Sequence, residues 1–158
     1  MAIEIERKFL VKNKSWQVDQ QGNTVNGIVF RQGYLVSQDA TVRVRLEGEK
    51  AVLTLKGKTE GVSRLEYEYE IPASDANEML DKLCEKPLIE KTRYKRVEGN
   101  LVWEIDVFEA ENSGLIVAEV ELDKEDQQID MPAWAGEEVS GDPKYYNVNL
   151  VKAPYSSW

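Results

Sequence analysis

The chain contains no histidine and only one cysteine, Cys84, in 158 residues. Without imidazole there is no His-based zinc site, no Ser–His or Cys–His nucleophile and no imidazole general base. One thiol closes no internal disulfide and supplies no Cys cluster for a metal. Basic residues are scarce too: 20 Lys and Arg stand against 29 Asp and Glu, and 20 − 29 gives a formal net charge of −9. So acidic a chain repels phosphodiester backbones and anionic bilayers, which argues against nucleic-acid and membrane partners. No apolar run approaches the roughly 20 residues of a membrane span. The opening Met1-Ala2-Ile3-Glu4-Ile5-Glu6-Arg7-Lys8 is far too charged for the core of a signal peptide, so a cytoplasmic location is expected.

What the sequence does have is enough apolar material for a core, 42% of residues, over a length that suits one domain spanning 1–158. Its strongest signal has a period of two, the mark of strands with one apolar and one polar face. In 2–12, Ile3, Ile5, Phe9 and Val11 oppose Glu4, Glu6, Lys8 and Lys12, with Arg7 alone breaking the apolar row. The same alternation returns in 41–47, 51–58, 64–71, 90–96, 101–108 and 115–123, and 28–36 makes an eighth strand. Short polar links such as Glu47-Gly48-Glu49-Lys50 and Glu98-Gly99-Asn100 suit antiparallel hairpins.

A helix is predicted over 75–85. Ala76, Met79, Leu80, Leu83 and Cys84 form its apolar stripe, Asp75 and Glu78 offer a capping box, and Pro87 stops it. A short helical turn is expected in 124–130, a long loop in 13–27 and irregular chain after 139. The expected fold class is therefore β-rich (α+β), an eight-stranded antiparallel closed barrel or strongly curved sheet.

Alternation by itself favours the ordinary arrangement, with the apolar faces buried and the charges solvated. The sorting of signs argues for the other, with the charges toward a lumen, and the residues alone leave both open. Acids dominate 4–6, 66–70, 104–106 and 119–121, while bases dominate 43–45, 56–58 and 91–95. Like charges at i and i+2 lie within ~7 Å on one face, whereas a solvated surface is better served by mixed signs. Facing clusters of bases and acids could hold phosphates and a divalent cation, because Mg²⁺ and Mn²⁺ take carboxylate oxygen and need neither His nor Cys.

The segment Glu4-Ile5-Glu6-Arg7-Lys8-Phe9-Leu10 resembles the E-x-E-x-K signature of the CYTH family, the triphosphate tunnel metalloenzymes. Further pieces stand in that family's order: Gln32-Gly33-Tyr34-Leu35, Val42-Arg43-Val44-Arg45, Thr54-Leu55-Lys56, Glu66-Tyr67-Glu68, Lys91-Thr92-Arg93-Tyr94, Glu104-Ile105-Asp106, Ala118-Glu119-Val120-Glu121 and Gly141-Asp142-Pro143-Lys144-Tyr145-Tyr146-Asn147. The resemblance spans nearly the whole chain and is closest to the compact bacterial inorganic tripolyphosphatases. It implies a closed eight-stranded tunnel with a charged interior.

The resemblance also implies a metal-dependent hydrolase that cleaves a triphosphate, foremost inorganic tripolyphosphate to pyrophosphate and phosphate. The attacker it implies is a metal-activated water. Carried over by position, Glu4, Glu6, Glu119 and Glu121 are candidate metal carboxylates, helped by Asp106, Glu66 and Glu68. Lys8, Arg43, Arg45, Lys56, Lys91 and Arg93 are candidate triphosphate ligands, with Lys58 and Arg64 on the same polar face. Glu4, Glu119 and Lys8 are the candidate catalytic residues, Glu119 or Glu4 orienting the water. Mg²⁺ or Mn²⁺ is the expected cofactor. Thiamine triphosphate or nucleoside triphosphate hydrolysis, adenylate cyclisation and non-catalytic polyphosphate binding are the alternatives.

Other features have structural readings. Gly57-Lys58-Thr59 imitates the end of a P-loop, but that motif needs Gly at position 52, which is Val52. Cys84 belongs to the helix stripe and Trp103 to an apolar row, so both are expected to pack. Tyr145 and Tyr146 either close the tunnel or pack. Glu47, Glu70, Lys95 and Asp123 are expected near the tunnel mouths. An inverted barrel also needs cover for its apolar exterior. The helix, the 13–27 loop and the tail to Trp158 could supply it, and a homodimer could supply the rest.

Overall fold

Period-two patterning becomes a nine-stranded sheet in the computed structural model, which describes residues 3–158. The strands are β1 (Ile3–Val11), β2 (Gly27–Leu35), β3 (Thr41–Glu47), β4 (Lys50–Lys56), β5 (Ser63–Ile71), β6 (Ile89–Glu98), β7 (Leu101–Phe108), β8 (Ile116–Glu121) and β9 (Ala135–Glu138). Neighbours run β5-β4-β3-β2-β6-β7-β8-β1-β9, and β5 also pairs with β1. That antiparallel seam, Ile3 opposite Leu65 through Ile5 opposite Ser63, closes eight strands into a barrel. β9 is an addition that takes the edge of β1 beyond the seam, placing Glu138 opposite Phe9. It lies in a stretch with no expected element, being too short for alternation to show. Ala2, the first residue of the expected 2–12 strand, lies outside the described residues.

Three apolar clusters fix this barrel. Outside β1, β7 and β8, the core of Phe9, Trp103, Ile105, Ala118 and Val120 is roofed by Trp16 and Trp134. Trp16 belongs to a short 3-10 turn, Ser15–Gln17, inside the expected 13–27 loop. Arg96, buried on the outer side of β6, pins that loop by donating from Nη1 to the carbonyls of Ser15, Trp16 and Val18 at 3.3, 2.9 and 2.7 Å. Outside β3 and β4, the core of Val44 and Ala51 is covered by α1 (Ala73–Lys82) through Ala76 and Leu80, with Cys84 just beyond. Gly33 permits this approach, because a Cβ there would sit 2.7 Å from the Cys84 Cβ.

The helix differs from expectation in three ways. It begins and ends earlier than 75–85, its N-cap is Pro72 with no side-chain cap bond, and Leu83 is exposed after its end. Asp75 sits in the first turn, where a carboxylate favours the helix dipole without capping. The expected turn of helix at 124–130 is a series of bends and turns instead.

The third cluster, Tyr34, Ile89, Phe108, Leu115, Val117, Leu150 and Val151, closes one end of the bore. Tyr34, Ile89, Phe108 and Val117 share strand parity with Gln32, Lys91, Asp106 and Glu119, so the lining turns from ionic to apolar along the barrel. α2 (Asn147–Lys152) stoppers that end with Leu150 and Val151. The tail expected to be irregular is thus partly helical and functional in closure. Tyr145 packs against this cluster and stands edge-on to Trp158, while Tyr146 faces the bore. On the far side, Leu55, Leu65, Tyr67 and Tyr69 remain exposed along β4 and β5. No helix among the described residues is long and apolar enough to cross a membrane.

Candidate functional site

The inward faces of the strands enclose a cavity of about 240 Å³. Seven bases line it: Lys8 from β1, Arg43 and Arg45 from β3, Lys56 from β4, Arg64 from β5, and Lys91 and Arg93 from β6. Seven acids face them: Glu4 and Glu6 from β1, Glu66 and Glu68 from β5, Glu104 from β7, and Glu119 and Glu121 from β8. All the expected site residues meet there except Asp106, which stands behind Lys91 and Arg93. Lys58 falls after the end of β4, is exposed, and lines a separate cavity beside Lys152.

Cross-strand register explains much of the pairing. Lys8 is opposite Glu119, Glu4 opposite Arg64, Lys56 opposite Glu66 and Arg93 opposite Asp106. Lys56 Nζ lies 3.2 Å from Glu4 and 3.1 Å from Glu66, and Arg64 Nε lies 3.2 Å from Glu4. Burial works against charge on Glu4, but Lys56, a hydrogen bond with Glu66 and the Arg64 guanidinium hold its carboxyl below the usual range. The cost falls on Glu66. Burial and that shared hydrogen bond push its carboxyl up to about 7 despite Lys56.

Arg93 grips Asp106 with two hydrogen bonds, Nε to Oδ1 at 2.7 Å and Nη2 to Oδ2 at 2.8 Å. Lys91 donates to the same Asp106 Oδ2 at 2.8 Å. Both carboxylate oxygens are thus engaged by cations, and the group is only 1% exposed. Burial alone would raise the Asp106 carboxyl, but Arg93 and Lys91 carry it below its ordinary value. Lys91 moves the other way: burial lowers its ammonium to about 7, with Asp106 opposing that fall and Arg93 adding to it. Glu119 is buried yet held well below the carboxylate range by Lys8, Arg93 and Lys91.

Glu6 and Glu121 are different. They face each other in register, and among the described residues neither forms an ion pair or side-chain hydrogen bond. Burial, then Glu119 and Glu4, raise the Glu6 carboxyl well above its usual value. Burial, Glu4 and Glu104 raise Glu121 as well. Lys56 opposes the rise at both, and Lys8 at Glu6, without pairing directly with either. Crowded carboxyls without a direct ion-pair partner are an oxygen-only donor set suited to a hard divalent ion. Among the described residues no three acids already form a coordination shell.

The basic wall carries the complementary signal. Among the described residues the buried Nε groups of Arg43 and Arg45 have no hydrogen-bond partner, although through Nη2 Arg45 pairs with Glu47 at 2.6 Å, Arg43 donates to the Thr54 hydroxyl at 3.3 Å, and the two reach Glu68 at 3.9 and 3.7 Å. Buried donors without acceptors are costly and mark where an anion would sit. The crowding of Arg45 and Arg93 is eased by Phe30 of β2, whose ring centroid lies 5.0 Å from the Arg45 Cζ and 4.9 Å from the Arg93 Cζ.

Sequence reasoning missed Phe30 as part of this site and gave Glu104 and Asn147 no role in it. Glu104 falls among the lumen acids of 104–106, and Asn147 ends the Gly141–Asn147 motif, but neither is a candidate site residue on the sequence alone. Phe30 reads as an ordinary apolar residue. Asn147 enters through α2, which has no legible pattern.

Comparison with known proteins follows the same lines. The CYTH domain model matches residues 2–152. The chain is 48% identical over 159 aligned residues to an inorganic triphosphatase of Acetivibrio thermocellus, covering 100% of this chain and 99% of that protein. It is 39% identical to an inorganic triphosphatase of Nitrosomonas europaea over 93% of this chain and 95% of that one. A crystal structure of an inorganic triphosphatase superposes with a TM-score of 0.66 at 33% identity, covering 94% of this chain and 97% of the other.

Proposed function

The chain belongs to the CYTH-domain family, and on that premise we propose that it is an inorganic triphosphatase, hydrolysing tripolyphosphate to pyrophosphate and phosphate within the bore. One observation carries most weight: seven bases and seven acids line one cavity, so 7 − 7 leaves no net formal charge. A tripolyphosphate bearing about four or five negative charges would leave such a lining strongly anionic, so cations must enter with it. Triphosphatases of this family depend on a metal; Mg²⁺ or Mn²⁺ is the cofactor we infer here. Glu6 and Glu121 would hold it, with Glu4 and Glu119 beside them. When bound, such an ion neutralises phosphate charge and acidifies a water.

The remaining work falls to the chain. Arg43 and Arg45 direct fixed guanidinium donors at the phosphates, and Lys56, Lys91 and Arg93 add positive charge around them. Phosphoryl transfer demands positioning and charge stabilisation more than a protein nucleophile. Glu119, kept ionised by Lys8 and Arg93, is a weak proton acceptor and therefore orients the attacking water rather than deprotonating it. Lys8, 3.5 Å from Glu119 and over the Tyr146 ring at 5.6 Å, is placed to offset charge on the leaving group. Asp106 serves as an anchor for Arg93 and Lys91 in this account, not as a metal ligand. We infer a cytoplasmic location, in keeping with the single free thiol.

The test is a substrate panel of tripolyphosphate, ATP, thiamine triphosphate and pyrophosphate, each with Mg²⁺ and Mn²⁺. Tripolyphosphate is expected to lead in kcat/KM by at least about tenfold, the scale at which a site distinguishes related substrates. Cyclic AMP from ATP, or tight tripolyphosphate binding without phosphate release, would refute the proposal.

A further inference from the structure

Lys91 is the most deeply buried cation of the bore, 1% exposed, at the end where the lining becomes apolar. Its ammonium has three hydrogens. One goes to Asp106 Oδ2 at 2.8 Å and one to Asn147 Oδ1 at 2.9 Å, which leaves a third for a ligand in the cavity that Lys91 lines. Asn147 is the first residue of α2, the stopper. The same Oδ1 accepts from Gln32 Nε2 at 3.3 Å, and Gln32 Nε2 also donates to the Tyr34 hydroxyl at 3.0 Å. Two donors converging on one oxygen fix which way the Asn147 amide is turned. Gln32 is fully buried, so this support does not swing away.

Chemistry favours an amide at this position. Asp106 already serves both Lys91 and Arg93, so a second acceptor is needed to hold the ammonium in place. A carboxylate would hold it too, but it would cancel the positive charge just where a phosphate must be met. An amide oxygen orients the cation and leaves its charge available.

We propose that Asn147 is a positioning residue: it holds the Lys91 ammonium at the blind end of the tunnel for the innermost phosphate of a bound triphosphate, and so makes the C-terminal α2 part of the substrate site. This inference rests on the reading of the bore as a triphosphate site. It adds that the stopper does more than plug the barrel.

The experiment is a double-mutant cycle of N147A and K91M on the full chain. It is read by calorimetric binding of inorganic tripolyphosphate and by kcat and KM for its hydrolysis. N147A alone should weaken binding about 10- to 100-fold, the usual range for a hydrogen bond to a charged group. Combined with K91M it should add little, because its effect passes through Lys91. N147D keeps the size of the side chain and the seat of α2, so it decides the matter if N147A loosens the helix. It should bind tripolyphosphate at least as weakly as N147A, with the loss appearing in KM more than in kcat. Losses that multiply in the double variant, or an N147D protein that binds like the wild type, would overturn the proposal. A wild-type protein that neither binds nor cleaves tripolyphosphate would overturn the proposed function itself, and that result precedes any variant.

Discussion

Glu6→Gln offers a test in which stability and activity move in opposite directions. The substitution removes one negative charge and almost no volume from a position opposite Glu121, near Glu4 and Glu119. Side chains directly opposed on neighbouring strands have Cβ atoms about 5 Å apart. Two charges at that distance repel by about 3 kcal/mol at an effective dielectric of 20. Glu6 is partly exposed to the bore, and its raised proton affinity already relieves part of the repulsion. A gain of about 1–2 kcal/mol on neutralising it is therefore the expected scale, which in a chain of this length raises the metal-free Tm by about 3–6 °C.

The assay is thermal melting in EDTA at neutral pH, repeated with Mn²⁺ or Mg²⁺, beside phosphate release from tripolyphosphate. Wild-type protein should gain stability on adding metal by mass action, and Glu6→Gln should lose most of that gain together with most turnover. A variant that is destabilised without metal yet keeps both the metal-induced shift and full activity would refute the assignment. Glu6 would then be a structural partner and not a ligand.

Two further outcomes follow from particular contacts. Glu66 is pushed from 4.5 to about 7, so its contribution to stability is complete below the unfolded value and is lost as pH rises through about 7. Metal-free wild-type protein should therefore lose stability relative to Glu66→Gln as pH rises from about 4.5 to 8, seen as converging or crossing melting curves; parallel curves would contradict it. Arg96→Met removes donors from three carbonyls and should cost about 2–4 kcal/mol by denaturant unfolding. Turnover per folded molecule should not change, because Arg96 lies outside the bore; an equal loss of kcat would place the 15–18 loop in the mechanism.

Local chemistry alone determined much of this protein. Alternation in eight segments specified eight strands, because burying one face of a sheet writes a period of two into the chain. The grouping of bases at 43–45 and 91–93, and of acids at 4–6 and 119–121, suggested an ionic surface, and the E-x-E-x-K resemblance, not the grouping itself, turned it toward phosphate and a metal. The tertiary structure decided the rest. Which face turns inward depends on the seam between Ile3–Ile5 and Ser63–Leu65, a contact some 60 residues apart that no local pattern encodes. Asp106 and Glu121 look alike as inward acids, yet one is caught between Lys91 and Arg93 while the other stands opposite Glu6 with no ion-pair partner among the described residues, and register separates them. β9 and α2 are too short to show a period, and their positions are imposed by the edge of β1 and the mouth they close. Arg96 and Arg93 differ by three residues, so they fall on opposite faces of β6, and only closure of the barrel made one a structural pin and the other part of the site.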